Sequence, residues 1–201
     1  MTEYTFRQYD WENPTFIEAV LEELLKGLLG EWLFYGPYVK RFGLHGDEWV
    51  LDFGCGSGIC TRTIAKKLSP QGRITGVDIS GYWIAKAQKR LADFANAECK
   101  RGDIREMALP DAAYDLISIV HTLHDIHPAE RQSTVDALVP KLKPGGRLFL
   151  YEPTRASHGM AVQEMRALMA SAGLVEAASE ERTSAFIGEF EKTRGREISP
   201  P

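Results

Sequence analysis

Thirteen residues, WVLDFGCGSGICT from Trp49 to Thr61, constrain this chain more than any other stretch. The apolar run Trp49-Val50-Leu51 with Phe53 has the β-branched and aromatic character of a buried parallel strand. Gly54, Gly56 and Gly58 stand at its carboxyl end, where glycine lets the backbone turn sharply and lets a ligand approach the main chain. From Ile59 the pattern becomes helical, with Ile59, Ile64, Ala65 and Leu68 as packing positions before the SPQG turn. One glycine would suffice for the turn, so three behind the acid Asp52 predict a bound ligand. The dinucleotide fingerprint G-x-G-x-x-G/A does not fit, because its third small position falls on Ile59 and the third glycine comes one residue early. A G-x-x-x-x-G-K-[ST] phosphate loop does not fit either, since Cys60-Thr61-Arg62 follows without the lysine. The loop therefore predicts neither NAD, FAD nor a nucleoside triphosphate.

Punctuation along the rest of the chain predicts one α/β domain. Residues 15–33 carry Ile17, Val20, Leu21, Leu24, Leu25 and Leu28 at helical spacing, and the Gly-Pro break in FYGPYVKRFGL separates this helix from the first strand. Helices are expected over 82–95, 129–138 and 162–171, alternating with apolar strands. LVEAAS and TSAFIGEFEK then predict two closing strands around the acidic turn EERT. The expected organisation is an N-terminal helical segment over 1–43, a domain over 44–193 and a frayed tail over 194–201. Tyr4, Phe6, Tyr9, Trp11, Trp32, Phe34 and Tyr35 make the first segment rich in aromatics, suited either to covering a pocket as a lid or to packing the first helix on the sheet.

Composition narrows the partners. With 201 residues, 44% of them apolar, the chain is long enough for one sizeable core. A net charge of −4 supplies no footprint for nucleic acid. No apolar run is long enough for stable membrane insertion, the first helix's polar face is mostly glutamate, and no leader pattern is evident. Three cysteines without zinc-site spacing suit a reducing compartment, so a cytoplasmic location is expected. Oligomeric state has no signal in the sequence.

LDFGCGSG resembles the first motif of the class I S-adenosylmethionine-dependent methyltransferases, an acid followed by G-x-G-x-G. ITGVDIS resembles their second strand, CKRGDIREMALPDAAYDLISIVHTLHDI their third-strand acidic turn and fourth strand, and LKPGGRLFLYEP their fifth. The resemblance covers roughly 44–153 and is closest in pattern to the ubiquinone/menaquinone-biosynthesis-like small-molecule enzymes. It implies a Rossmann-like three-layer sandwich whose mostly parallel seven-stranded sheet ends in an antiparallel strand pair, with N-terminal helices. The cofactor it implies is S-adenosyl-L-methionine, held by Asp52, Phe53, Gly54, Cys55, Gly56, Gly58, Asp78, Ile79, Asp103, Ile104, Val120 and His121. Asp78, twenty-four residues after Gly54, suits a ribose diol because a carboxylate accepts two hydroxyl protons. Asp103 would accept from the adenine amino group, with Ile79 beside the ring and Ile104 offering its backbone N–H. Asp52 would face the cationic end of the cofactor.

The expected reaction is methyl transfer to an oxygen, nitrogen or carbon atom of a small-molecule acceptor. The alternative is a non-catalytic or partner-dependent protein that binds the cofactor through the same fold. Substrate should contact the segments after strands four and five, HTLHDIHP and YEPTRASH. His121 and His124 are the candidate general bases for a hydroxyl acceptor, each also suited to a structural role. No metal is expected. His121, His124 and His127 recur at i, i+3 and i+6, a helical spacing that drifts by about 120° and turns the outer two rings apart.

Overall fold

The computed structural model describes residues 30–194 together with Tyr4 and Phe6. The first expected helix lies outside the described residues up to 29, as do Tyr9 and Trp11. A short helix α1 (Gly36–Lys40), with proline in its first turn, precedes the sheet. β1 (Trp49–Phe53) leads through the glycine loop into α2 (Ile59–Ala65), and β2 (Arg73–Asp78) leads into α3 (Gly81–Arg90). Ser80 caps α3 by accepting the Trp83 N–H at 3.3 Å. β3 (Ala97–Arg101) and β4 (Tyr114–Val120) are followed by α4 (Pro128–Leu138), which starts on proline, the residue whose missing N–H costs nothing there. β5 (Leu142–Arg155), the two-residue β6 (His158–Gly159), α5 (Val162–Ser171), β7 (Leu174–Arg182) and β8 (Ala185–Lys192) complete the chain.

The strands form one sheet in the order β3-β2-β1-β4-β5-β8-β7, with β6 paired to β5 beside this path. β1 lies parallel to both β2 and β4, while β8 runs antiparallel to β5 and β7. The expected seven-stranded path is present, and β6 is an addition that the sequence did not reveal. Two boundaries also differ. α3 stops at Arg90, five residues early, because Phe94 N–H bonds back to the Leu91 carbonyl in a turn instead of extending the helix. β7 runs through the expected acidic turn to Arg182, since Glu181 and Arg182 still pair with Phe186 and Ala185.

Strand residues alternate between two cores, one on each face of the sheet. Leu51, Ile117, Ile119, Leu148 and Leu150 join α4 and α5 on one side. Val50, Leu116, Phe149 and Tyr151 join Tyr38, Phe42 and Ile64 on the other. Tyr38 is fully buried yet polar at its tip, and its hydroxyl donates to the Phe149 carbonyl at 3.0 Å. The strand order reverses between β1 and β4. Two neighbouring strands there send their following loops in opposite directions, which opens a crevice at their carboxyl ends.

Candidate functional site

The three loop glycines have three different physical reasons. All have positive φ, at 71°, 50° and 79° for Gly54, Gly56 and Gly58, a region costly for other residues. At Gly54 a Cβ would fall 2.1 Å from the Thr122 hydroxyl, so this glycine lets the loop pass under the turn after β4. At Gly58 a Cβ would lie 2.9 Å from the Ala87 Cβ, so this glycine brings α2 against α3. At Gly56 a Cβ would meet nothing within 4 Å. Only there does the loop face open space, and that space is a cleft of about 410 Å³.

Every residue expected to hold the cofactor lines this cleft except Gly58. Gly58 lies outside the lining and packs against Ala87. The Gly56 N–H donates to Asp78 Oδ2 at 2.8 Å, and the Ser80 N–H donates to Asp78 Oδ1 at 2.9 Å. Each Asp78 oxygen thus accepts one backbone N–H, which fixes the carboxylate at the edge of the cleft. Ile79 beside it is 57% exposed, a large apolar side chain presented to the cleft. Ile104 is buried on the cleft wall. Asp103 is also in the wall, but its carboxylate is clamped by Arg105, whose Nε lies 3.0 Å from each oxygen and whose Nη2 lies 2.5 Å from Oδ2. The Arg105 hydrogen bond holds the Asp103 carboxyl below its usual range. Arg105 was not legible as a site residue; its spacing two residues after Asp103 was the available signal.

Asp52 lies on the cleft floor and is 1% exposed. It accepts the Thr61 hydroxyl at 2.7 Å. Burial raises its carboxyl from 3.8 to about 6, against the opposing hydrogen bonds from Thr61 and Ser118. A buried carboxylate held at this cost favours a cation in the cleft.

The structure separates the two histidines that were expected to share a role. His121 lines the cleft and has φ 52°, a strained left-handed conformation outside glycine. Its ring packs edge-on against Phe34 and Tyr151, each with centroids 5.2 Å away. His124 is outside the cleft lining and is buried. Its Nδ1 lies 2.6 Å from Glu152 Oε2, and its Nε2 lies 3.1 Å from His158 Nε2. Burial pushes the His124 ring down, but Glu152 beside it more than offsets this and leaves its pKa raised.

Two residues that sequence reasoning missed hold the turn between these histidines. Glu152 is fully buried, and its Oε1 accepts the Thr122 and Leu123 N–H groups at 2.8 Å each. Arg131, 5% exposed, donates to the carbonyls of Leu123, Ile126 and His124 at 3.0–3.1 Å and pairs with Glu164. One group satisfies the turn's donors and the other its acceptors, so its backbone can be buried without orphaned polar atoms. Nothing in the local spacing marks either residue, because both reach the turn from other elements.

The aromatic segment touches the cleft. Phe6 and Tyr35 line it, and Phe6 packs edge-on against His127 at 5.3 Å. Trp32, by contrast, is 78% exposed. Among the described residues no helix is long and apolar enough to cross a membrane.

A sheet of this order, with an acid and open glycine at one strand end and a second acid at the next, defines a class. Residues 50–146 match the family described as "Methyltransferase domain", and the sheet order is that of the class I S-adenosylmethionine-dependent methyltransferase fold. It is similar to the ubiquinone/menaquinone biosynthesis C-methyltransferase of Pseudomonas savastanoi, 28% identical over 121 residues that cover 56% of this chain and 46% of that one. It is also similar to the carboxy-S-adenosyl-L-methionine synthase of Chromohalobacter salexigens, 34% identical over 56% of this chain and 41% of that one. The chain spans less than half the length of these curated relatives. In fold it matches a solved S-adenosylmethionine-dependent methyltransferase from Aquifex aeolicus, with TM-score 0.73 at 19% identity over 87% of this chain and 98% of that one.

Proposed function

We propose that the protein transfers the methyl group of S-adenosylmethionine to a small-molecule acceptor in the cleft at the β1/β4 switch point. The observation that carries this reading is Gly56: a left-handed glycine with open space in front of it, tied through its N–H to Asp78, above the buried Asp52 carboxylate. The residues fit the cofactor. Asp78 presents a carboxylate at the cleft that suits a ribose diol, and the exposed Ile79 offers an apolar face to adenine. Asp103 takes the adenine amino group on the lone pairs that Arg105 leaves, and Asp52 complements the positive amino and sulfonium end. The cofactor, when bound, supplies an electrophilic methyl carbon.

The chain's own contribution is alignment and handling of one proton. In-line displacement at carbon is accelerated mostly by fixing acceptor, methyl and sulfur on one axis. Phe34 and Tyr151 pack edge-on with His121, and Tyr35, in contact with Phe34, lines the cleft alongside His121, so aromatic surface screens this end from water. His121 is the group placed to accept a proton from a hydroxyl acceptor, and its strained backbone fits a residue whose direction matters. His124 acts through the turn, positioned by Glu152, and does not touch the acceptor. Phe6 and Tyr35 serve to cover the cleft, supported by their place in its lining and by the contact of Phe6 with His127. The test is a screen with methyl-labelled S-adenosylmethionine against quinones, phenols, amines, thiols and metabolite extracts. Label transferred to a small molecule by the wild type and not by Asp78→Ala supports the reading; tight cofactor binding with no transfer to any acceptor refutes it.

A further inference from the structure

The β5–β6 hairpin brings His158 to the adjacent pair His124 and Asp125 in the turn after β4, although 34 residues separate His158 from His124. His158 reaches His124 because Gly159 pairs with Thr154 in the return strand. A Cβ at Gly159 would lie 2.4 Å from the Pro153 carbonyl, so no other residue allows this return. His124 Nε2 stands 3.1 Å from His158 Nε2 and 3.4 Å from Asp125 Oδ1, and the three ligand atoms all lie within 4.8 Å of one another. Four-coordinate zinc with bonds near 2.05 Å spaces its ligand atoms about 3.3 Å apart, which is close to the two shorter separations here.

A second, independent observation concerns Glu152. Its Oε2 meets His124 Nδ1 at 2.6 Å, deep in the core, while its Oε1 is taken up by two backbone N–H groups. A carboxylate on Nδ1 keeps the proton there and directs the Nε2 lone pair outward, the arrangement by which metal-binding histidines are oriented. His124 Nε2, Asp125 Oδ1 and His158 Nε2 then stand within 4.8 Å of one another, a spacing that one cation can bridge.

We propose that His124, Asp125 and His158 form a binding site for a zinc-class divalent cation. Two imidazoles and one carboxylate are the borderline donor set that zinc takes, and three protein ligands leave a fourth position open. Asp125 lines the cleft and His158 is exposed, so the site has an entry path and borders the region where an acceptor would bind. This set differs from the sequence trio of His121, His124 and His127, in which His127 Nδ1 accepts the Ala129 N–H and its ring packs on Phe6. The third ligand comes instead from another strand. Cation binding stands apart from methyl transfer, whereas use of the open position by an acceptor oxygen or sulfur rests on the proposed function.

The test uses the full chain, free of any affinity tag and stripped with a chelator, titrated calorimetrically with zinc sulfate and spectroscopically with cobalt(II) chloride. The expected result is one saturable equivalent and the visible bands of low-coordinate cobalt. His158→Ala and Asp125→Asn should each lower zinc affinity at least about 100-fold, while His45→Ala, distant and exposed, should bind as the wild type does. No saturable equivalent in the wild type, or unchanged affinity in His158→Ala, overturns the site. Loss of binding in His45→Ala to the same degree overturns it too. S-adenosylmethionine is titrated into the same samples, so a failed metal site with intact cofactor binding leaves the methyltransferase reading standing, and the reverse result leaves the metal site standing.

Discussion

Asp52 is a carboxylate that the folded protein holds at a cost, and replacing it with asparagine should make the cofactor-free protein more stable. Burial raises its carboxyl from 3.8 to about 6. At about 1.4 kcal/mol for each pH unit, keeping it ionised costs about 3 kcal/mol once the pH is well above 6. The sign follows from proton counting. Between pH 4 and 6 the folded state holds a proton that the unfolded chain has released, so stability falls as pH rises through that window. The asparagine side chain would not titrate, and its amide oxygen can still accept the Thr61 hydroxyl that Asp52 accepts at 2.7 Å. The stability of Asp52→Asn relative to wild type should therefore grow by up to about 3 kcal/mol between pH 4 and pH 8. Urea denaturation of both proteins across that range, without cofactor, measures it. Cofactor binding should move oppositely: Asp52→Asn should bind S-adenosylmethionine more weakly by about 1.5–3 kcal/mol, the size of a charge-assisted contact. Wild-type affinity should also fall as pH drops below about 6, because a protonated Asp52 no longer complements a cation. A stability difference that stays constant from pH 4 to pH 8 would refute the assignment of Asp52 as a strained, cation-seeking carboxylate.

Asp78→Ala removes the carboxylate proposed to hold the ribose diol and should cost about 1.5–3 kcal/mol of S-adenosylmethionine affinity by calorimetry. It also releases the Gly56 N–H from its 2.8 Å bond, so part of that loss should appear as faster hydrogen exchange at the loop. Gly56→Val and Gly58→Val should behave differently: both lose about 1–2 kcal/mol to the left-handed backbone, but only the second also collides with Ala87. Gly56→Val should then melt nearer the wild type while losing cofactor binding, and Gly58→Val should be the less stable of the two in thermal melts. His121→Gln should slow single-turnover methyl transfer to a hydroxyl acceptor about 100-fold with cofactor affinity changed only a few-fold. An unchanged rate in that variant would make alignment, without a base, the account of catalysis.

The properties legible along the chain are local. The backbone at 54, 56 and 58 needs glycine, the apolar runs read as buried strands, and an acid stands one residue before the end of the first and at the end of the second. Such properties depend on neighbours within a few residues, so the loop, Asp52, Asp78 and the alternation of strands and helices were legible before any coordinates. The tertiary structure decided which chemistry each residue meets. Gly58 and Gly56 are alike in sequence, yet one faces Ala87 and the other open space, because α3 packs beside only one of them. His121 and His124 are three residues apart, yet the left-handed turn at His121 leaves one ring in the cleft and directs the other to Glu152. Glu152 and His158 lie 28 and 34 residues beyond His124, and only the parallel pairing of β4 with β5, followed by the β6 return, brings them to it. Sequence spacing carries information across one element. Contacts between elements are chosen by which faces bury together, and that choice belongs to the whole sheet.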